Sequence, residues 1–506
     1  MKRRTVLLAL AICVLASLSA FAEINNQRVK LCFFDDFWLK YKSSTMRRWF
    51  TPQYFSHYCD PAFGGMHYSS LIPDKESGKY RLYYCGFDPL SEKKCFIALS
   101  ESRDLKSFEP VGIKQATSEY PAHVIDIKNR GVNVGENGVN GVVIYDSFES
   151  DPSRRYKLMC YLRGEKGWKP NDIQVGFSAD GLHWEIQHDM VVGLKSHSDT
   201  LNRLFYNPYT KEYGLIHRST HVDRRIALKT TEDFKKWNPS KLILHPGSRY
   251  NSDDSITELY GMTAAYHDGI FLGITWPFHM KFYETIQTRM NGYIESELVY
   301  SYDGEHFMQT TGRPLVERPN PPLQGCAQTA FTDISVSLDG SEYILTAWAN
   351  NVHHSSAVPN MIKLQDGRAF GAAFYRIRKD GFCGLEGMGG GAPGVVVTRG
   401  LRILKDDLTL NVNASCGMAR FGIMIENGVQ PSEHKQKRLH PKSNLVFYEG
   451  FSFDDCVPFI KSDSVDLVPQ WKKHKLQELV GKRAYIAVEL KCSILHAMSF
   501  TARQEF

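Results

Sequence analysis

One double motif recurs five times between residues 67 and 382. Its first half runs from an apolar segment through a turn into an aromatic-rich segment: HYSSLIPDKESGKYRLYYCG (67–86), NGVVIYDSFESDPSRRYKLMCYLRG (140–164), NRLFYNPYTKEYGLIHR (202–218), GMTAAYHDGIFLGITW (261–276) and DISVSLDGSEYILTAW (333–348). Each reads as a β-hairpin. The second half is a further strand closed by a turn: IALSESRDLKSF (97–108), VGFSADGLHW (175–184), IALKTTEDFKKW (226–237), LVYSYDGEHF (298–307) and AFYRIRKDGF (373–382). Asp-Gly supplies the turn in three of the five copies and an aromatic residue closes every one, so Asp180, Asp303 and Asp380 are read as turn residues. One small sheet cannot bury both of its faces alone. Five successive units of three strands, with room for a fourth, therefore predict sheets packed face to face in a five-bladed β-propeller. An irregular array of β-sandwiches is the competing pattern.

Near residues 385–400 the composition changes to LEGMGGGAPGVVVTRG, a Gly/Pro-rich junction. Beyond it, DLTLNVNAS (407–415), MARFGIMIEN (418–427) and AYIAVELKCS (484–493) alternate apolar and polar residues. The whole is thus expected to be all-β: a five-bladed propeller over 23–390, followed by a C-terminal β-sandwich over 391–506.

The first 22 residues read as a cleavable signal peptide. Lys2, Arg3 and Arg4 precede an apolar core, and Ala20-Phe21-Ala22 forms an A-x-A site. The mature protein is then secreted or periplasmic. With 42% hydrophobic residues the chain is not intrinsically disordered. Beyond the signal no uncharged apolar run is long enough to span a bilayer. Removing the three basic residues lowers the formal charge from +6 to +3, with no block of like charge to follow a phosphate backbone, so nucleic acid is not an expected partner. None of the 11 cysteines forms a C-x-x-C pair, and neither a metal site nor a cofactor is indicated. Export permits disulfides without fixing their pairing.

With these segments in hand, LCFFDDFWLKYKSSTMRRWFTP (31–52), the S-x-D-G-x-H turns, HSDTLNRLFYNP (197–208), TELYGMTAAYHDGIFLGITW (257–276) and GMARFGIMIENG (417–428) make the chain resemble a group of secreted bacterial proteins. These are five-bladed propellers related to glycoside hydrolase families thirty-two and forty-three, with a C-terminal β-sandwich. The resemblance implies carboxylates projecting from the innermost strands into a central pocket: a nucleophile or base in blade one, an Asp that tunes acidity in blade two and a general-acid Glu in blade three. The NDPNG-type, plain RDP and EC motifs of those families are absent.

Glycoside hydrolysis needs one carboxylic acid to protonate the leaving oxygen and one carboxylate to attack the anomeric carbon or activate water. The innermost strand opens each unit, so acids at or just before those strands are the candidates. Asp199 precedes the third such strand and Glu258 the fourth, and they form the leading pair. Asp60 occupies the matching place in unit one, Glu136 in unit two and Asp333 in unit five. Each also has an ordinary reading as a turn residue or a solvated charge. Arg218, Arg163 and Arg225 offer planar forks for substrate hydroxyls or carboxylates, or else structural ion pairs. Trp276 and Trp348 close second strands, where they stack on sugar rings or pack the core. His279 and the His353-His354 pair follow those strands. The expected activity is hydrolysis of a polysaccharide or oligosaccharide, with exo-action suited to a closed funnel. A non-catalytic carbohydrate-binding propeller is the rival, and oligomeric state is left open.

Overall fold

A computed structural model describes residues 28–88, 91–112, 124–128, 141–161, 173–194, 200–220, 223–246, 255–281, 292–318, 328–351, 354, 370–429 and 445–504. Among them the regular structure is β throughout, apart from short 3-10 turns at Pro152–Arg154 and Leu476–Leu479. The chain divides into two compact units, Thr51–Ile377 and a discontinuous one made of Met1–Phe50 with Arg378–Phe506.

Among its described residues the unit Thr51–Ile377 carries five successive, mainly antiparallel strand groups, called sheets I to V below, of which IV and V are joined into one nine-stranded sheet by Gly292–Ile294, paired with Phe271–Lys281 on one side and with Gln328–Val336 on the other. Sheet I is Gly65–Asp74, Lys79–Asp88, Ser91–Ser102 and Glu109–Pro110. Sheet II is Val142–Tyr145, Tyr156–Tyr161, Ile173–Ser178 and His183–Val191, with Asp126–Lys128 added in parallel at its edge. Sheet III is Arg203–Asn207, Glu212–Thr220, Arg224–Thr231 and Lys241–Leu244. Sheet IV is Ser255–Tyr266, Phe271–Lys281, Glu297–Ser301 and Met308–Gln309. Sheet V is Gln328–Val336, Glu342–Asn350 and Phe370–Arg378, and its fourth strand is Gln53–Tyr58 from the other end of the unit. The first strand of each sheet packs beside the first strand of the next, and that of sheet V beside that of sheet I.

The continuous apolar run YRLYYCG follows from this stacking, because both faces of the sheet are covered. Leu82 and Tyr84 join Ile344 and Phe374 of sheet V in one buried cluster. Tyr83 and Cys85, on the opposite face by strand alternation, join Val143, Leu158 and Trp184 of sheet II. Sheets III and IV share a third cluster built on Phe205, Ile226, Leu259 and Phe271.

The turn chemistry is more uniform than the Asp-Gly pairs suggest. In sheets I to IV the third strand ends in Ser/Thr-x-Asp. The hydroxyl of Ser102, Ser178, Thr231 or Ser301 accepts from the backbone three residues on, and Asp104, Asp180, Asp233 or Asp303 accepts two backbone N–H groups of its own turn. The next residue has positive φ in all four: Leu105, Gly181, Phe234 and Gly304. The closing indoles of Trp184 and Trp237 donate to the carbonyls of Gly181 and Phe234, each at 3.0 Å. Asp180 and Asp303 are thus turn residues as read. Asp380 lies in a turn of different build: Gly381 N–H donates to Arg378, and the Asp380 carboxylate holds buried Lys30, with both oxygens 3.0 Å from Nζ. Gly181 has φ +77°, and a Cβ there would run into the Tyr83 hydroxyl. Gly181→Ala is expected to cost about 1–3 kcal/mol in urea unfolding. Gly340→Ala, with the same φ but nothing within 4 Å, should lose about 1 kcal/mol or less.

In the discontinuous unit, the early strands Arg28–Cys32, Leu39–Ser43 and Thr45–Trp49 pair with Ser493–Gln504, Gly394–Thr398 and Cys383–Gly387. Residues 28–50 were expected to open the repeat-bearing domain. Their backbone hydrogen bonds instead go to C-terminal strands, and the division falls at 377/378 rather than at 390/391. Phe421 pairs with Val488 and Ile423 with Ile486, all buried, as the alternation of those segments predicts.

Candidate functional site

Three first strands carry an irregularity. The pairing register shifts between His67 and Ser70 in sheet I, between Leu259 and Met262 in sheet IV and between Phe331 and Asp333 in sheet V. An extra residue in a strand re-aims side chains, and such bulges favour functional sites. Tyr68 sits inside the first bulge with φ +34°, a strained value for a bulky side chain. Tyr260 and Gly261 lie inside the second. A Cβ on Gly261 would come 2.6 Å from the Trp276 ring and 2.9 Å from the Thr200 hydroxyl, so glycine is what lets the indole and this strand meet.

A connected cluster grows from these two tyrosines. Tyr68 stacks on Trp276 with ring centres 6.0 Å apart and meets Trp348 at 5.6 Å. The Trp276 indole is held by the Phe331 carbonyl at 2.9 Å, whereas the buried Trp348 N–H has no hydrogen-bond partner among the described residues. His67 packs on Trp348 at 4.7 Å. Burial, helped by the neighbouring His354, pushes its pKa down to about 3, so the ring is neutral at any ordinary pH. Tyr260 shares a 3.1 Å hydrogen bond with His354. The guanidinium groups of Arg218 and Arg224 lie 5.0 and 5.8 Å from the centre of its ring. Burial draws the Arg218 pKa down, with Tyr260 opposing the shift and Arg224 adding to it. Arg224 also ion-pairs with Glu258, whose side chain is 8% exposed.

A second network lies beside the first. His279 accepts or donates to Thr257 at 3.1 Å and reaches Glu295 at 3.2 Å, and Glu295 pairs with Arg318 at 3.3 Å. Burial works against ionising Glu295, but His279 and Arg318 hold its carboxyl below the usual range. Glu258 pairs in register with Phe278 and Thr257 with His279, so Glu258 and His279 point to opposite faces of sheet IV.

Of the residues singled out from the sequence, Glu258, Arg218, Trp276, Trp348 and His354 fall in one cluster, with His279 beside it. Arg225 does not join them. As the strand neighbour of Arg224 it points the other way, and it engages Asp223 at 2.5 Å. Asp60 is buried, accepts from the Tyr84 hydroxyl and caps Ala62 N–H at 2.9 Å. Asp333 is buried against Arg203 at 2.6 Å. Asp199, Glu136, Arg163 and His353 lie outside the described residues. Thr200, which follows Asp199, is fully buried beside Gly261 and Tyr68. Tyr68, Tyr260, Arg224 and Glu295 were not anticipated, and Gly261 within TELYGMTAAY was the one visible sign of a close approach.

Next to Arg218, His217 is 3% exposed and bonds Ser240 at 3.1 Å. Burial pushes its pKa down to about 4, against an unfolded value of about 6.5. Below that unfolded value the unfolded chain takes up a proton that the folded ring refuses. The stabilisation is therefore full above about pH 6.5 and lost as pH falls toward 4, at about 1.4 kcal/mol per pH unit. His217→Gln is expected to flatten the pH dependence of the urea midpoint over that window by this slope.

No family model matches the chain, and no curated protein matches it in sequence. Solved structures do resemble its backbone. An N-acetylgalactosamine deacetylase from F. plautii, in complex with a blood group B trisaccharide, aligns at 13% identity over 66% of this chain and 96% of its own, with a TM-score of 0.40. A family 117 glycoside hydrolase from the marine bacterium Zobellia galactanivorans aligns at 15% identity over 66% and 90%, with a TM-score of 0.34. The native arabinanase of Bacillus subtilis aligns at 12% identity over 63% and 97%, with a TM-score of 0.32. The described residues are all-β apart from two short 3-10 turns, and glycoside hydrolases stand among the solved structures the chain resembles.

Proposed function

We propose that this chain is an exported glycoside hydrolase. In this reading the five sheets are the blades of a propeller, closed by the pairing of Gln53–Tyr58 with Phe370–Arg378, and the C-terminal strands form a β-sandwich unit. The substrate is a polysaccharide or oligosaccharide bound where the first strands converge.

The observation that carries the reading is the convergence of a buried carboxylate, Glu258, with Arg218, Arg224, Tyr260, Tyr68, Trp276 and Trp348 around the bulged strands. Indole and phenol faces suit the C–H face of a sugar, and guanidinium groups and the free Trp348 N–H supply fixed donors for its hydroxyls. As half of an ion pair, Glu258 enters as a carboxylate acceptor, fit to attack the anomeric carbon or activate water. Asp199, next to Thr200, is assigned the acid.

A second reading, binding without catalysis, draws support from a specific observation. The other two candidate carboxylates among the described residues are committed elsewhere, Asp60 to Tyr84 and Asp333 to Arg203. Reducing-sugar release across neutral, uronate-containing and sulfated glycans separates the two. Release abolished in both Asp199→Asn and Glu258→Gln, with the fold retained, supports the hydrolase and its pair. Binding without release from any glycan supports the second reading.

A further inference from the structure

The first strand of sheet IV has two chemically distinct ends. Glu258 and Tyr260 lie toward its start, and Tyr266 is its last residue. Eight residues of extended chain cover roughly 25 Å. At the far end is a separate cavity of about 150 Å³ whose lining includes Tyr145, Asp146, Phe148, Arg203, Tyr206 and Tyr266. None of these residues belongs to the cluster around Glu258.

Its walls are aromatic. Phe148 is 53% exposed, with its ring 5.1 Å from Tyr206 and 6.1 Å from Tyr266, and Tyr145 is 45% exposed. Two large aromatics left open beside two more are unusual for residues whose usual role is burial. Its polar groups are of two kinds. Asp146 is buried and already matched by the Lys157 ammonium at 3.1 Å and the Tyr213 hydroxyl at 2.6 Å. Arg203 is 5% exposed and spends Nη2 on Asp333, but its Nε and Nη1 are buried with no hydrogen-bond partner among the described residues.

We propose that this cavity is a second carbohydrate site that takes one neutral sugar residue. The charges decide the class. Arg203 is neutralised by Asp333, and Lys157 by Asp146 and Glu149, so the site lacks the net positive charge that a uronate or sulfate would need. What it offers is aromatic faces, Phe148 beside Tyr206 and Tyr266, for the sugar's C–H side. The volume decides the length, because it is well below the ~300 Å³ at which drug-sized ligands begin to fit. A single ring, free or at a chain end, is the ligand.

The test titrates the chain from residue 23 onward with methyl β-glucoside, methyl β-galactoside, methyl α-arabinofuranoside and glucuronic acid, followed by calorimetry and saturation-transfer NMR. At least one neutral glycoside is expected to bind in the millimolar range, to bind equally well to Glu258→Gln, and to lose about tenfold or more in affinity in Phe148→Ala and in Tyr206→Ala. Phe148 is half-exposed, so its truncation leaves the fold intact, and an unchanged melting curve checks this. Failure of all three neutral glycosides to bind, binding of glucuronic acid alone, or binding that both aromatic variants retain and Glu258→Gln abolishes would each overturn the assignment. Because the probes are not cleaved to be detected, the outcome is independent of whether the chain hydrolyses glycans.

Discussion

Asp333→Ala is expected to destabilise the protein by about 3–5 kcal/mol, with a fall in the urea midpoint to match. Asp333 is 2% exposed and Arg203 5%, and they meet at 2.6 Å. Burial pushes the Asp333 carboxyl up, against the pull of Arg203. The same carboxylate accepts the backbone N–H of Leu71 and of Ile334, each at 2.8 Å. One side chain therefore ties the first strands of sheets I, III and V together. Removing it strands a buried guanidinium that already has two unmatched nitrogens, and leaves Leu71 N–H without its acceptor. Arg203→Met removes the other charge and should cost a similar amount. The double variant Arg203→Met/Asp333→Ala should recover part of the loss, because no uncompensated charge then remains. A single-variant cost below about 1 kcal/mol would mean that water reaches the pair.

That lock also shows where sequence reasoning stops. Position relative to the repeat singles out Asp333 as a candidate carboxylate on a first strand. Position on a strand does not say what a carboxylate meets across the unit, and its partner Arg203 is 130 residues away. The turns were legible because Ser/Thr-x-Asp bonds its own backbone and needs no distant partner. Leu105 and Phe234 hid two copies, since they take the positive φ that glycine advertises at Gly181 and Gly304. The pairing of Gln53–Tyr58 with Phe370–Arg378 left no local mark, nor did the assignment of residues 28–50 to the C-terminal strands. Tyr68, Tyr260 and Arg224 escaped for a related reason. Strand alternation is read with a period of two, and a bulge breaks that period where the site is built.

Glu258→Gln is expected to lower kcat/KM for glycan hydrolysis by about 10²–10⁴-fold while leaving the melting curve nearly unchanged. The amide keeps the shape of the carboxylate and can still face Arg224, but it cannot attack an anomeric carbon or take a proton from water. Loss concentrated in kcat would mark a group acting in the transition state, whereas a rise in KM at constant kcat would mark one that only positions substrate. The ion pair with Arg224 makes the distinction sharp. If Glu258 merely anchors that arginine, Arg224→Ala reproduces the Glu258→Gln defect in full, since the two act as one structural element. If Glu258 reacts with substrate, Arg224→Ala leaves the carboxylate in place beside Phe278 and its kcat falls by less. Equal defects in the two variants, or a Glu258→Gln enzyme as fast as the parent, would take Glu258 out of the chemistry and assign the reaction to another carboxylate, with Trp276, Trp348 and Tyr260 left as substrate-binding surfaces.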